Sequence, residues 1–265
     1  NTSCDDSEDW ANCVAGTLRQ EELIESLEKA GFKDVTCTGL THYTTAKTTQ
    51  GATFSASKVP AIHRRKKHWD SLFKTKDYTQ VFWHQSSPTR SLNLIQKYAN
   101  KEDAIIDVGC GASVLVDALI DNGYEDISLL DTSSTCLNIV KKRLNTSVTP
   151  KYICSDLLMF KATQPYKLWH DRAVFHFLLS KKERETYFTV LSESLDKEGY
   201  AIINTFAPDG EISCAGLQTR AYNREMMLAE LPDTLKLIDY ESFTHITPKN
   251  IEQSYSLFVI QKNEC

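Results

Sequence analysis

From residue 104 onward, short apolar, β-branched runs alternate with runs of helical spacing, and this constrains the fold more than any other feature. "AIIDV" (104–108), "ISLLD" (127–131), "KYICSD" (151–156), "YKLWHD" (166–171) and "GYAIINTF" (199–206) read as strands. "VLVDALIDNG" follows the first as a helix, with Leu115, Leu119 and Ile120 on one face and Gly123 as its stop. "SSTCLNIVKKRL" opens on Ser133 or Ser134 as cap and carries Leu137, Val140 and Leu144 at helical spacing. "KKERETYFTVLSESL" has a Tyr187, Leu191, Leu195 stripe, and "NREMMLAEL" is a short helix. Such alternation predicts a parallel sheet covered on both faces. The closing runs "LKLIDYESFTH" and "SYSLFVIQK" have no helix between them and are expected to pair antiparallel at one edge.

The α/β domain is expected over 61–265, with an extension over 1–60. There "RQEELIESLEKAGF" reads as a helix with Leu23, Ile24 and Leu27 inward, and "DVTCTGL" and "GATFSAS" as two strands joined by a Thr-rich loop. A helix plus a hairpin is too small to bury a stable core alone. It is expected to pack on the main domain, on a second copy as a homodimer element, or on sequence upstream.

A net charge of −5 gives no support to a nucleic-acid partner, and the basic cluster "HRRKKH" (63–68) reads as a solvated helix end. Eight cysteines without a C-x-x-C pair or zinc-like spacing read as reduced thiols of a cytoplasmic protein. The sequons at Asn1 and Asn145 follow no apolar signal segment and are treated as chance. No run approaches the roughly 20 apolar residues of a membrane span.

The turn after the first strand reads "DVGCGAS". Glycines at 109 and 111 permit a sharp turn and close approach to a ligand. The dinucleotide frame G-x-G-x-x-G, counted from Gly109, ends on Val114 and fails. The pattern is instead D-x-G-x-G-x-S, with Asp107 ahead of the loop. Asp131, 22 residues after Gly109, ends the second strand, where an acid accepts ribose hydroxyls. Asp156 ends the third, where a carboxylate can take an adenine amino group, and Asp171 ends the fourth. Together these acids suit S-adenosyl-L-methionine, with its ammonium, sulfonium and carboxylate. The alternative is that surface acids cap helix N-termini.

Residues 65–265 resemble a class I, Rossmann-like methyltransferase dependent on S-adenosyl-L-methionine. "IIDVGCGAS", "LLDTS", "SDLLMF", "LWHDRAVFHFL" and "INTFAPDG" match that family's motifs in order, and "CAGL" and "HITPKNIEQ" match a group of small bacterial-type members. The resemblance implies a seven-stranded sheet of order 3-2-1-4-5-7-6, with strand 7 antiparallel. It implies a cofactor site of Asp107, Gly109, Cys110, Gly111, Asp131, Thr132, Ser133, Asp156, Leu157 and His170, roofed by Trp69 and Trp83. Ser113 departs from the commoner third glycine. The product would be S-adenosyl-L-homocysteine, and no metal is implied.

Methyl transfer is an in-line displacement helped mostly by positioning and water exclusion. His170 or Asp171 is a candidate general base, with a structural His170 as the alternative. His176 reads as packed. Cys214 is either a grip for a soft acceptor or a plain loop thiol. With no N-P-P-[YF] motif after the fourth strand, amide and exocyclic-amine acceptors are disfavoured. The leading expectation is a small-molecule acceptor. A thiol or metalloid acceptor, a protein lysine, and a non-catalytic binding partner are the alternatives. Residues 1–58 resemble the C-terminal part of arsenite methyltransferases, with Cys13 at an arsenic-binding thiol position. The reading favoured for them is an inert packing or dimer element left from such a gene.

Removal of residues 1–58 is expected to leave affinity for S-adenosyl-L-methionine in place, as measured by calorimetry. A shortened chain that is insoluble or fails to bind would show the segment to be integral.

Overall fold

The computed structural model describes residues 18–44, 49–58 and 61–263. The chain divides into two units, residues 1–65 and 66–265. In the first, helix α1 (Gln20–Lys29) precedes an antiparallel hairpin of β1 (Phe32–Leu40) and β2 (Ala52–Lys58). The hairpin register slips between Lys33 and Thr36, where Asp34 takes a positive φ of 54°. Val35 is the buried residue of β1, and α1 buries none fully. Cys13 lies outside the described residues. Helix α2 (Ala61–Thr75) spans the division and carries the basic cluster in its first turns, toward its N-terminal end.

The second unit holds α3 (Thr89–Tyr98), β3 (Ile105–Val108), α4 (Leu115–Asp121), β4 (Ile127–Asp131), α5 (Ser134–Arg143), β5 (Lys151–Cys154), β6 (Tyr166–Arg172), α6 (Lys181–Ser194) and β7 (Leu195–Phe206). After these come the short hairpin β8 (Ser213–Cys214) and β9 (Leu217–Gln218), then α7 (Arg224–Leu228), β10 (Leu235–Ile246) and β11 (Glu252–Lys262). Seven strands form one sheet in the order β5-β4-β3-β6-β7-β11-β10. Five are parallel, and β11 runs antiparallel to both β7 and β10. This is the order 3-2-1-4-5-7-6 counted along the second unit.

Alternation along the strands sorts side chains onto two cores. Ile105, Leu168, Ile202, Leu257 and Val259 face the layer of α3, α4 and α5, through Ile95, Leu119 and Leu137. Ile106, Trp169, Ala201, Ile203 and Phe258 face the other layer, through Tyr187 and Leu191 of α6 and Met227 of α7. Each such fully buried large side chain contributes roughly 1.5–3 kcal/mol. Helix α3 was not expected from the sequence. Its buried positions Ser91 and Ile95 are spaced by four, but the polar composition around them hides the stripe.

The caps follow local chemistry. Ser133 accepts the Cys136 N–H, and Ser180 and Glu183 form a reciprocal capping box. Gly109 turns the chain at the end of β3 with φ of 60°. A Cβ there would sit 2.1 Å from Val174 Cγ2, so a side chain at this position would displace Val174. The small size of Gly109 thus serves packing between the β3 and β6 turns.

Gly109→Ala is expected to destabilise the fold by at least about 1–3 kcal/mol from its backbone conformation alone. Val174→Ala should recover part of the further loss, which a double-mutant cycle of denaturant unfolding measures.

Candidate active site

The carboxyl ends of β3, β4, β5 and β6 form one rim, where open α/β sheets bind ligands. Three acids of this rim are nearly dry: Asp107, Asp131 and Asp156. Asp107 and His170 are register partners on adjacent parallel strands. His170 Nδ1 lies 2.7 Å from Asp107 Oδ1, and its Nε2 lies 2.9 Å from Ser91 Oγ. One imidazole thus links Asp107 to Ser91, with donor and acceptor at each contact set by the ring's tautomer.

Asp131 Oδ2 accepts the Gly111 N–H at 2.9 Å and Oδ1 accepts the Ser133 N–H at 2.7 Å. Burial pushes this carboxyl up from its usual range, against those two N–H groups. Each oxygen keeps a second lone pair, so the carboxylate ties the glycine loop to the β4 turn and can still accept from a ligand. Asp156 accepts the Leu158 N–H at 3.0 Å and caps the short 3₁₀ turn Leu157–Met159. Thr132 is half-buried, and Ser133 and Leu157 are buried beside these acids.

Several supports escaped the sequence reading. Arg143 donates to the carbonyls of Ala112 and Ser113 and pairs with Asp117 at 2.7 Å, fixing the loop from behind. Asp70, on α2, accepts from Ser133 Oγ at 2.7 Å and the Thr135 N–H at 3.2 Å, and pairs with Lys66 at 3.0 Å. Burial raises its carboxyl, but hydrogen bonds from Ser133, Lys66 and Thr135 outweigh that and bring it down to about 2. Lys66 also donates to the Thr132 carbonyl. Both cations are thus committed to protein groups and cannot receive a pyrophosphate. Cys110 is buried in the loop, and desolvation pushes its thiol far up, so it is inert.

Trp69 meets Trp83 edge-on at 6.0 Å and Phe177 at 5.4 Å, a half-buried aromatic group beside the rim. The segment carrying Phe82 and Trp83 is pinned by two carbonyl contacts. Arg172 Nη2 donates to Trp83 O at 2.9 Å, and His245 Nε2 lies 3.2 Å from Phe82 O.

The two expected bases are placed otherwise. Asp171 is fully buried on the opposite face of the sheet from His170, among Tyr187, Val174 and Phe175. Tyr187 donates to its Oδ2 at 2.8 Å and the Val174 N–H to its Oδ1 at 3.0 Å. Burial, only partly offset by these donors, pushes its carboxyl up from 3.8 to about 6. It caps the turn after β6 from within the core. His170 has both ring nitrogens occupied, so it positions Asp107 and is not a free base. His176 is buried with both nitrogens unpartnered, stacks on Phe206 at 4.7 Å, and is pushed down to about 3 by burial, hence neutral. Burial raises the Cys214 thiol to about 11, against the pull of Arg172, so it is protonated at neutral pH.

No family model matches the chain. Among solved structures it is similar to a S-adenosylmethionine-dependent methyltransferase from Anabaena variabilis (TM-score 0.62, 14% identity, 78% of this chain and 96% of that one). The N-methyltransferase NodS of Bradyrhizobium japonicum, in complex with S-adenosyl-L-homocysteine, gives 0.59 at 12% identity over 76% and 99%. Magnesium protoporphyrin IX methyltransferase of Synechocystis, with bound S-adenosylmethionine, gives 0.61 at 11% identity over 79% and 100%. In sequence the chain is 26% identical over 182 residues to malonyl-[acyl-carrier protein] O-methyltransferase 1 of Ilyobacter polytropus (67% of this chain, 62% of that protein). It is 21% identical over 187 residues to mouse EEF1A lysine methyltransferase 2 (60% and 72%). It spans 17% of the bovine eEF1A lysine and N-terminal methyltransferase, at 25% identity. Among the described residues, no helix is long and apolar enough to cross a membrane.

The folded state keeps the Asp171 proton at pH values where the unfolded chain has lost it. Its contribution to stability is therefore full below about pH 4 and declines as pH rises through about 6, by about 3 kcal/mol. Asp171→Asn should remove this decline while retaining ligand binding. Unfolding free energies of both proteins from pH 4 to pH 8 measure it.

Proposed function

We propose that this chain, which has the fold of the class I S-adenosylmethionine-dependent methyltransferases, transfers a methyl group from S-adenosyl-L-methionine to a small-molecule acceptor. The observation that carries the reading is the row of nearly dry acids, one at or just past the end of each of three neighbouring parallel strands, around a loop whose nearby cations are committed elsewhere. That donor set suits an ammonium, ribose hydroxyls and an adenine amino group, and it does not suit a pyrophosphate.

Asp107 and the turn Gly109–Gly111 would hold the amino-acid end, Asp131, Thr132 and Ser133 the ribose, and Asp156 and Leu157 the base. Trp69 and Trp83 offer aromatic faces that attract a cation. When bound, the cofactor supplies a methyl group on a sulfonium for in-line displacement. His170 orients Asp107 and leaves the acceptor's proton alone, so the chain's part is binding, alignment and exclusion of water.

The Phe82–Trp83 segment, pinned to Arg172 and His245, favours a small acceptor, since it would restrict access beside them. A lysine acceptor, as the names of two relatives suggest, would bring an ammonium towards the Arg172 guanidinium, and like charges repel there. The protonated Cys214 offers no thiolate to a metalloid acceptor.

Calorimetry should show binding of S-adenosyl-L-methionine, weakened at least about tenfold in Asp131→Ala, the loss of one charged hydrogen-bonding group. Labelled cofactor incubated with fractionated extract should mark the metabolite pool. Label in protein would overturn the acceptor class, and no affinity for the cofactor would overturn the whole reading.

A further inference from the structure

One row of the sheet surface is not explained by the cofactor site. Residues 168, 170 and 172 of β6 share a face, and Arg172 pairs in register with Asn204 of β7, which pairs with Leu257 of β11. Tyr255 lies two residues before Leu257 on the same face. Past the Asp107–His170 pair, this face therefore presents Arg172, Asn204 and Tyr255, under the segment that Arg172 and His245 pin.

Each of the three has unused polar capacity. Arg172 uses one N–H on the Trp83 carbonyl and forms no ion pair among the described residues. Asp107 reaches it through space, but one of that carboxylate's oxygens holds His170. Burial works against the guanidinium's charge, yet arginine stays protonated. Asn204 is 2% exposed; its carboxamide oxygen has no partner, and its amide NH2, the group that can donate to a carboxylate, makes no hydrogen bond among the described residues. The Tyr255 hydroxyl makes no hydrogen bond among the described residues. Buried charges are normally paired, and a planar guanidinium fork matches a planar carboxylate.

We propose that Arg172, flanked by Asn204 and Tyr255, is the anchor for a carboxylate carried by the methyl acceptor. The acceptor is then a small organic acid whose carboxylate docks on Arg172 while another atom of the molecule faces the cofactor. The guanidinium draws electron density from the carboxylate it holds, which makes that carboxylate the handle and not the attacking group. The inference rests on the methyltransferase reading and names the substrate class of that site.

The test uses the full chain saturated with S-adenosyl-L-homocysteine, so that the acceptor side alone is open. Malonate and benzoate are the probes, with inorganic phosphate as the competing oxyanion, and calorimetry and melting temperature are the readouts. The carboxylates should bind and raise the melting temperature, and phosphate should not. Arg172→Gln should weaken carboxylate binding at least about tenfold, as loss of a charge-assisted bidentate contact. Because Arg172 also touches the Trp83 carbonyl, Asn204→Asp serves as the second variant. It leaves that contact in place, supplies an internal partner for the guanidinium, and should abolish carboxylate binding while affinity for S-adenosyl-L-homocysteine is kept. Carboxylate binding unchanged in both variants, binding of phosphate alone, or no probe binding to protein that holds S-adenosyl-L-homocysteine would each overturn the anchor. Failure to bind S-adenosyl-L-homocysteine would instead overturn the methyltransferase reading beneath it.

Discussion

A carboxylate and an imidazole, both almost dry, face each other at 2.7 Å across adjacent parallel strands, and the rim is arranged around them. Neither could stand there alone. A buried charge without a partner costs several kcal/mol, and a buried ring nitrogen without one costs about 1–3. Ser91 of α3 completes the chain on the far side of the ring, so the helix that covers this face is also hydrogen-bonded to it. The arrangement leaves the outer oxygen of Asp107 directed by groups that cannot easily turn. This rigidity suits a binding group better than a proton shuttle.

The period of two along a strand does the rest of the sorting. His170 and Arg172 look toward α3 and the pinned aromatic segment, while Asp171 between them looks into the core of Tyr187 and Phe175. Three consecutive polar residues thus receive three different tasks: positioning an acid, capping a turn from within, and presenting a cation. The rim is reinforced from behind by Arg143 on the loop carbonyls and from the side by Asp70 on the β4 turn. These supports hold the Gly111 N–H of the loop on Asp131.

Much of this was legible in the residues. The runs carrying Asp107, Asp131 and Asp156 at or near their ends were visible as strands, because β-branched continuity and terminal acids are local properties. The antiparallel edge followed from the missing helix between the last two strands. Helix α3 was not legible, since its two buried positions sit among polar neighbours and its role is to meet His170. The Arg143, Asp70 and Arg172 contacts were also hidden, joining residues 26 to 89 positions apart. Gly109 was legible as a turn, but its close packing against Val174 of the β6 turn was not.

Periodicity and the spacing of acids in the sequence determined by themselves a parallel α/β sheet with a carboxylate at successive strand ends, since both depend on neighbours along the chain. Only the tertiary structure decided what each of those carboxylates does. Which face a residue takes, and which donor meets its oxygens, depends on strands and helices far away in sequence. Asp107 and Asp131 therefore remain at the rim, while Asp171 is drawn into the core by the hydroxyl of Tyr187.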